Sequence, residues 1–351
     1  MISKFKTLFF IFWILLNPVI SVGQVPEYYS EIDFTKSSNE IKNQLHELIS
    51  QDIITYPYTS ASTDTWDIMQ LAEQDPNNSE NIILIYSGDS QDFYYRDGTG
   101  NYSRYENGNG THNNSWNREH VYPKSLFTLD LDYDDEAYTD IHNLKAAKRR
   151  DNAERGVRVF GFKDDSVLNG YGVTRTGAYY PGDKFIGDVA RIIMYSQIRY
   201  PNITKAENVG EGFLINDIPE IFLLWNELDP PDKFEINRNE IIYGFQGNRN
   251  PFVDNPYLAT KIWGGPPALD EWGIFIPYEI DVFPTSSIDF IEVSRESYDE
   301  IIEYEIFDMS GKNVSNGKFD QNIDISFLEK GTYILKIIFD NYFITKKILK
   351  L

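Results

Sequence analysis

The alternation of hydrophobic and polar positions predicts a chain that mixes helices with short strands. Apolar residues recur at the spacing of an α-helix in four stretches: 39–50, 140–155, 186–199 and 219–228. Ser38 or Asn39 is available to cap the first helix. The apolar run 82–86 predicts a short buried strand that ends in a turn. Residues 97–115 are rich in Gly, Asn, Thr and Ser, which indicates an exposed loop.

The last part of the chain has a different pattern. From about Ile280 onward, short β-rich runs are separated by turn signals such as Ser310-Gly311-Lys312 and Lys330-Gly331. Short strands at regular spacing predict a small antiparallel β-sandwich over residues 280–351. A stretch rich in Pro and Gly, Trp263–Pro267, is expected to close the preceding domain, which we place at residues 24–268.

The first 23 residues are typical of a secretory signal peptide. Lys4 and Lys6 precede an apolar run from Leu8 to Leu16, and Ser21-Val22-Gly23 supplies small residues for cleavage before Gln24. The run is shorter than the ~20 residues that a membrane-spanning helix needs. No later segment is long and apolar enough to span a bilayer. We therefore expect an exported protein with no stable membrane span.

Cysteine content and net charge limit the chemistry that the chain can perform. With no cysteine, it has no disulfide, no thiolate metal site and no cysteine nucleophile. A bound metal would use oxygen or imidazole ligands, which favours Mg²⁺ or Ca²⁺ over structural zinc. The formal net charge of −22 argues against a nucleic-acid partner. Salt screens distant charge beyond about 10 Å, however, so a local basic surface can still bind a polyanion.

One basic stretch stands out in this acidic chain. Between His142 and Lys163, seven basic residues face only two acidic ones, Asp151 and Glu154, a local balance of +5. The seven are Lys145, Lys148, Arg149, Arg150, Arg155, Arg158 and Lys163. A run of charge is usually a solvated helix face. Here it follows a candidate catalytic histidine, which favours a surface that binds phosphate.

Four histidines limit the choice of a general base. His46 lies in the amphipathic helix predicted at 39–50, and His112 lies in the polar loop, so neither is a strong candidate. His120 and His142 remain, and a buried hydrogen-bonded role is an alternative for His142. Histidine is the natural general base near neutral pH, and Glu119 next to His120 offers a hard oxygen ligand. Neighbouring side chains of a strand point to opposite faces, so this pair needs a strand end or a bend.

The second metal ligand is expected on a later element. Mg²⁺ usually keeps several waters and takes one or two protein ligands. Asn152 lies in the predicted basic helix and offers an amide oxygen. Arg155, three residues on, would share its face and is expected to bind a phosphate bidentately.

Six segments together resemble the bacterial endonuclease I family, which includes secreted non-specific nucleases and extracellular ribonucleases. They occur in the family's order over roughly residues 27–265: IILIYSG (82–88), WNREHVYPKSLF (116–127), DIHNL (140–144), DNAERG (151–156), GDVARIIMY (187–195) and NRNEIIYGFQGNRNPFVDNP (237–256). Several co-linear motifs are far more specific than one Glu-His pair.

The resemblance implies an α+β fold with a His-Me finger (ββα-metal) core, in which two strands and a helix hold one divalent cation. Mg²⁺ is expected, with Ca²⁺ or Mn²⁺ as alternatives. His120 is expected to be the base that activates water, Glu119 and Asn152 the metal ligands, and Arg155 a catalytic phosphate contact. The family pattern leads us to expect a Pro-containing turn after the HNL motif, where this chain has Lys145–Lys148. Asn143 therefore stays an alternative ligand.

The resulting prediction is a secreted metal-dependent endonuclease that hydrolyses phosphodiester bonds of DNA, RNA or both. Contacts to the nucleic-acid backbone are expected from Arg118, Lys148, Arg149 and Arg150, with His142 and Asn143 as secondary site residues. One alternative is a non-catalytic surface-binding module. A glycosidase with paired carboxylates is another, but no motif supports it.

The C-terminal segment resembles the sorting domain of type IX secretion substrates. The residues that carry this resemblance are IEYEIFDMSGKNVSNG (302–317) and IDISFLEKGTYILKIIFDNYFITKKILKL (323–351). It implies recognition by the type IX secretion machinery and a secreted or cell-surface protein. An accessory β-sandwich that binds carbohydrate or a protein partner is the alternative.

Overall fold

The computed structural model describes residues 25–98, 113–274, 281–283, 286–294, 301–309, 311–318, 322–339 and 343–351. The expected signal peptide, His112 and most of the Gly-rich loop lie outside these residues. The described helices are α1 (Ser38–Ser50), α2 (Thr65–Ala72), α3 (Glu136–Thr139), α4 (Arg149–Arg155), α5 (Ile186–Arg199), α6 (Glu220–Leu228), α7 (Lys233–Gln246), α8 (Pro251–Asp254) and α9 (Tyr257–Trp263).

The described strands fall into two groups along the chain. The first group is β1 (Gln74–Asp75), β2 (Asn78–Ile83), β3 (Ser90–Asp92), β4 (Trp116–His120), β5 (Leu144–Lys148), β6 (Gly172–Val173), β7 (Tyr179–Tyr180), β8 (Leu214–Ile215) and β9 (Ile218–Pro219). The second group is β10 (Asp281–Phe283), β11 (Ser286–Ser287), β12 (Phe290–Ser294), β13 (Ile301–Asp308), β14 (Asn313–Lys318), β15 (Asn322–Asp324), β16 (Gly331–Phe339) and β17 (Phe343–Lys350). The predicted mixture of helices and strands is confirmed.

Helix α1 starts one residue earlier than the pattern predicts. Ser37, not Ser38 or Asn39, is the N-cap: its side chain accepts from the Glu40 N–H, and the Glu40 carboxylate accepts from the Ser37 N–H. This reciprocal pair is a capping box, which satisfies two amides that the first helical turn leaves without partners.

Helix α5 forms the centre of the main core, and its bounds agree with the predicted 186–199. All of its residues are buried, and it packs against α1 and α6. The same core extends beyond the expected domain end at residue 268. Trp272 packs on Tyr29 with 4.6 Å between ring centroids, and Ile274 belongs to the same cluster.

The helix predicted over 140–155 is wrong for most of its length. Ile141–Asn143 forms a single 3-10 turn, Leu144–Lys148 is strand β5, and only Arg149–Arg155 is helical. Strand β5 pairs antiparallel with β4, with Trp116 opposite Lys148 and His120 opposite Leu144. Cross-strand pairing to a distant segment overrides the local helical pattern. The result is a unit of two antiparallel strands followed directly by a short helix.

The strand predicted at 82–86 is displaced toward the N-terminus. Strand β2 ends at Ile83, and Ile85 then makes an isolated parallel bridge to Ala147 of β5. Tyr86 follows with φ of +74°, a left-handed conformation that a non-glycine residue rarely adopts. The chain turns sharply there and places the Tyr86 side chain under the β4–β5 pair.

The C-terminal strands form two sheets that share one cluster of buried side chains. The sheet orders are β10-β12-β15 and β11-β17-β16-β13-β14. Ile291 and Ile323 from the first sheet pack with Ile306, Leu335 and Ile348 from the second. This is the arrangement of a β-sandwich, although the β11–β17 pair is parallel where only antiparallel pairs were expected. None of the described helices is long and apolar enough to cross a bilayer.

Candidate active site

Glu119 and His120 line the same cavity, although they are neighbours on β4. The strand ends at His120, so the chain turns before the usual alternation of faces can separate the two side chains. The cavity has a volume of about 330 Å³ and is also lined by Tyr58, Lys124 and Asn152. We call it the catalytic cavity.

The His120 ring is held in one orientation and one tautomer. Its Nε2 lies 2.9 Å from the Tyr138 carbonyl oxygen, which can only accept a hydrogen bond. Nε2 therefore carries the proton, and Nδ1 keeps a lone pair. The Tyr58 ring stacks on the imidazole at 5.9 Å, and the Tyr138 ring meets it edge-on at 4.8 Å. Burial lowers the pKa of His120 to about 4, so the ring is neutral at pH 7.

One oxygen of the Glu119 carboxylate is occupied by the protein. Its Oε1 accepts hydrogen bonds from the Tyr86 hydroxyl at 2.7 Å and from Arg155 Nη1 at 3.2 Å. Burial raises the pKa of Glu119, and the Arg155 charge acts against that shift. Within the described residues no hydrogen bond reaches Oε2. That oxygen is the one available to a ligand in the cavity.

Asn152 of α4 lines the same cavity. Its Nδ2 donates to Asn117 Oδ1 at 2.9 Å and to the Arg118 carbonyl oxygen at 3.3 Å. Because a carbonyl cannot donate, the nitrogen must face Arg118, and Oδ1 lies on the other side of the amide. The hydrogen bonds of β4 thus fix the orientation of this side chain.

The two oxygens fit a hard divalent cation. A carboxylate oxygen and an amide oxygen are ligands that Mg²⁺ and Ca²⁺ prefer. The described part of the chain holds no group of three or more His, Cys, Asp or Glu side chains arranged for a metal. A cation held by Glu119 and Asn152 alone would keep most of its waters, as Mg²⁺ commonly does.

Both terminal nitrogens of Arg155 are occupied by protein partners, so its expected contact with a phosphate stays a prediction. Its side chain is 0% exposed. Nη1 pairs with Glu119 Oε1 and donates to the His120 carbonyl at 3.1 Å, and Nη2 donates to the Val121 carbonyl at 2.7 Å. The guanidinium therefore ties α4 to the end of β4 and holds the Glu119 carboxylate in place.

Asn143 and His142 make hydrogen bonds to the main chain and do not line the catalytic cavity, so their expected secondary role stays a prediction. The Asn143 side chain donates to the Tyr122 carbonyl at 3.0 Å and accepts from the Tyr122 N–H at 2.7 Å. His142 Nε2 lies 3.1 Å from the carbonyl of Asn248, a residue of the QGNRN loop, and the ring is buried. Of the two candidate asparagines, Asn152 is the one that lines the catalytic cavity.

The basic stretch 142–163 is largely neutralised by carboxylates, of which all but Asp151 come from elsewhere in the chain. Six of its seven basic side chains form ion pairs: Lys145 with Glu73 and Asp188, Lys148 with Asp89, Arg149 with Asp97, Arg150 with Asp151, Arg155 with Glu119, and Lys163 with Asp183. The seventh, Arg158, is exposed and donates to the Glu154 carbonyl. Four residues were expected to contact the nucleic-acid backbone. Of these, only Arg149 and Arg150 are readily accessible to solvent, with side chains 45% and 55% exposed.

Arg118 forms part of the wall of the catalytic cavity and is not an exposed cation. The residue is 9% exposed, and its guanidinium lies 3.3 Å from the Tyr58 ring centroid and 3.9 Å from that of Trp66. It donates to the side-chain oxygens of Thr65 and Thr59 at 2.7 and 3.1 Å. Its expected contact with substrate stays a prediction, and the guanidinium could make that contact only as part of the cavity wall.

Sequence reasoning missed Tyr58, Tyr138, Lys124 and Tyr86. Lys124 is exposed at the cavity mouth, where its Nζ donates to the Tyr138 hydroxyl at 2.8 Å. Its signal was present, because Lys124 lies inside the WNREHVYPKSLF segment. Tyr86 holds Glu119 from below, and its strained φ is typical of residues kept for a functional geometry. Only its place in the IILIYSG segment pointed to it.

Comparison with known proteins gives two family matches. The model described as Endonuclease I matches residues 37–257, and that described as Secretion system C-terminal sorting domain matches residues 281–350. The chain is 33% identical over 264 residues to the "Extracellular ribonuclease" of Bacillus subtilis (strain 168), covering 71% of this chain and 82% of the relative.

Two further relatives show how far the likeness extends. The "Extracellular ribonuclease" of Bacillus amyloliquefaciens is 33% identical over 250 residues, covering 67% of this chain and 78% of that protein. The "Endonuclease-1" of Buchnera aphidicola subsp. Acyrthosiphon pisum (strain APS) is 27% identical over 121 residues, covering 33% and 44%.

Proposed function

Because the chain belongs to the endonuclease I family, we propose that it hydrolyses phosphodiester bonds of RNA and DNA with a divalent cation at Glu119 and Asn152 and with His120 as general base. Family membership makes it a nuclease. The C-terminal sorting domain makes it a secreted or cell-surface protein, and we propose type IX secretion as its route.

One observation carries the proposal: three groups of complementary chemistry line one cavity. They are His120, whose Nδ1 keeps a lone pair, Glu119, whose Oε2 accepts no hydrogen bond from the described residues, and Asn152, whose amide oxygen can still accept a ligand. Glu119 and His120 belong to β4 and Asn152 belongs to α4, and β5 pairs with β4 and leads directly into α4. This order of two antiparallel strands and a helix supports the His-Me finger core that we propose for the domain.

His120 is suited to take a proton from water at neutral pH. Its low pKa keeps the imidazole unprotonated, and the Tyr138 carbonyl holds the Nε2 proton so that Nδ1 faces the reaction. The proton leaves water for Nδ1 while the oxygen attacks phosphorus and the bond to the leaving oxygen breaks. A divalent cation, when bound, would stabilise the negative charge that develops on the phosphate and the leaving oxygen.

Lys124 is the protein's own cation at the catalytic cavity. The exposed ammonium can reach a phosphate oxygen while the Tyr138 hydroxyl orients it. Arg149 and Arg150 at the start of α4 would contact phosphates further along the strand. Contacts of this kind bind the backbone and carry little sequence preference.

The substrate is proposed to include RNA as well as DNA. The two Bacillus relatives named extracellular ribonucleases match two thirds or more of the chain, whereas the relative named Endonuclease-1 matches one third. The sequence contains no motif that would exclude either polymer.

The test uses protein that lacks residues 1–23, as wild type and as His120→Ala. Each protein is incubated with plasmid DNA and with a structured RNA, once with Mg²⁺ and once with EDTA, and cleavage is measured. We expect the wild type to cut both polymers, EDTA to stop it, and His120→Ala to be slower by about 10²–10⁴-fold, the usual effect of a general base. His46→Ala is the matched control, since His46 bonds to the Ile198 carbonyl outside the cavity. Cleavage that survives EDTA or His120→Ala would overturn the mechanism.

A further inference from the structure

A second cavity adjoins the catalytic one and has no assigned role. It has a volume of about 480 Å³, within the roughly 300–1,000 Å³ range of pockets that bind small organic groups. Tyr58 and Arg118 line both cavities, so they form the wall between them. Its other side is formed by Trp66, Arg96 and Asn117, and we call it the side cavity.

A column of stacked groups leads from His120 to the far side of the side cavity. Tyr58 stacks on His120, and the Arg118 guanidinium lies 3.3 Å from the Tyr58 ring centroid. Arg118 is in turn 3.9 Å from Trp66, and Arg96 lies 4.4 Å from the same Trp66 ring. Stacking of cations on aromatic faces stabilises both partners, so the column fixes the wall beside the general base.

Two cations, Arg96 and Arg118, and two carboxylates, Asp64 and Asp97, line the side cavity, and Asp97 also pairs with Arg149. Burial lowers the pKa of Arg118 to about 10, so its side chain is still cationic at neutral pH. A phosphate would gain little beside these carboxylates, whereas a flat, neutral group with polar edges would find hydrogen-bonding partners and the partly exposed ring of Tyr58.

A nucleobase has these properties. Bases stack on aromatic and guanidinium planes, and this contact tolerates every base because each has a π-face. Asn117, Thr59 and Ser60 offer polar atoms at the cavity edge. A base within a duplex is paired and stacked on its neighbours, so it cannot enter a side cavity without first being extruded.

We propose that the side cavity binds the base of the nucleotide next to the scissile phosphate, so that the preferred substrate is single-stranded or locally unpaired nucleic acid. This inference rests on the proposed function. The phosphate lies at Lys124 and His120, and the adjoining base passes the Tyr58–Arg118 wall into the side cavity. Tyr133 is exposed, packs tilted against Tyr58 and edge-on against Tyr138, and extends the aromatic surface at the other end.

Ser60→Trp tests the side cavity by filling it. Ser60 is exposed, lines the side cavity and lies outside the catalytic cavity. Ser79→Trp is the matched control, because Ser79 is an exposed residue of β2 that lines neither cavity. Equal melting temperatures of both variants and the wild type would show that the substitutions leave the fold intact.

The substrate is a single-stranded oligonucleotide with one cleavable phosphodiester linkage, and all its other linkages are methylphosphonates. It is compared with two versions that carry one abasic residue, either before or after the cleavable linkage. For wild type and Ser79→Trp we expect an abasic residue on one side to lower kcat/KM about tenfold, the effect of losing one stacked base. For Ser60→Trp we expect kcat/KM on the intact oligonucleotide to be about tenfold below that of the wild type. An abasic residue should then cause no further change in kcat/KM. The inference fails if abasic residues change the wild-type rate less than twofold, or if Ser60→Trp slows both substrates equally.

Equilibrium binding separates this inference from the proposed function. In EDTA, without turnover, the wild type should bind a single-stranded oligonucleotide about tenfold more tightly than the matching duplex, since a duplex base must be extruded first. Ser60→Trp should remove that preference. Binding of this kind without metal-dependent cleavage would defeat the nuclease mechanism alone. Cleavage with equal affinity for duplex and single strand would defeat the side-cavity inference alone.

Discussion

Two segments of the chain carry most of the predicted chemistry, and they differ in how far the folded structure uses it. The catalytic segment, 116–127, places Glu119, His120 and Lys124 at one cavity. The basic segment, 142–163, was expected to form the phosphate-binding face. In the structure, six of its seven cations are paired with carboxylates.

The difference follows from what fixes each side chain. In the catalytic segment, the geometry depends on where one strand ends and on main-chain hydrogen bonds close to the residues themselves. In the basic segment, it depends on which acidic residues other segments bring near. The chain has 54 acidic and 32 basic residues, so such partners are abundant. A local count of charge therefore overestimates the exposed positive surface of an acidic protein.

The largest test of this comparison is Arg155→Met. Removing one partner of a buried ion pair leaves an uncompensated charge, so we expect the free energy of unfolding to fall by about 3–5 kcal/mol and activity to be lost with it. Urea unfolding of the variant measures the first effect. Arg158→Met, on the exposed side of the same segment, should stay within about 0.5 kcal/mol of the wild type. A stable Arg155→Met protein with only a raised KM would mean that Arg155 faces the substrate after all.

The pH dependence of stability tests whether His142, at the start of the basic segment, is a buried structural residue. Burial lowers its pKa to about 4 in the folded protein, against about 6.5 in the unfolded chain. The neutral ring therefore contributes stability that is fully present above about pH 6.5 and is lost as the pH falls toward 4, by up to about 3 kcal/mol.

The variant His142→Gln should lose less stability than the wild type between pH 7 and pH 4.5, because it has no group to protonate at this position. Urea unfolding at the two pH values measures the difference. Equal losses in the two proteins would show that His142 is not the buried structural residue described here.

Lys124→Met tests which segment supplies the cation at the scissile phosphate. We expect kcat/KM to fall about tenfold, since a charge-assisted hydrogen bond to phosphate is lost. Arg158→Met should change kcat/KM by less than twofold. The reverse ranking, measured on the same single-stranded substrate, would return the phosphate-binding role to the basic segment.

The smallest expected effect belongs to the double variant Arg149→Ala, Arg150→Ala. Both side chains are about half exposed but keep carboxylate partners, so we expect KM to rise only a few-fold. The slope of log K against log salt concentration should fall by about one to two units, as for the loss of two phosphate contacts. An unchanged slope would place the substrate away from this end of α4.

Part of the fold followed from local pattern alone. Helix α5 has the predicted bounds 186–199, and α6 begins one residue after the predicted 219, because amphipathic periods and Pro signals are strong there. Residues 144–148 were assigned to a helix but form β5. Their pairing with β4, some 28 residues away in sequence, could not be read from their own side chains.

The sequence by itself determined the kinds of groups available: a Glu-His pair beside a Pro-containing turn, an asparagine on a later helix, no cysteine, and a β-rich C-terminal segment. The tertiary structure decided which of these groups face solvent. It buried Arg155 under Glu119, paired Asn143 with the Tyr122 main chain, and left Asn152 toward the catalytic cavity. It also brought Tyr86 and Tyr58 to the site from more than thirty residues away. Burial and pairing depend on contacts between distant segments, and a linear pattern of residue types does not specify those contacts.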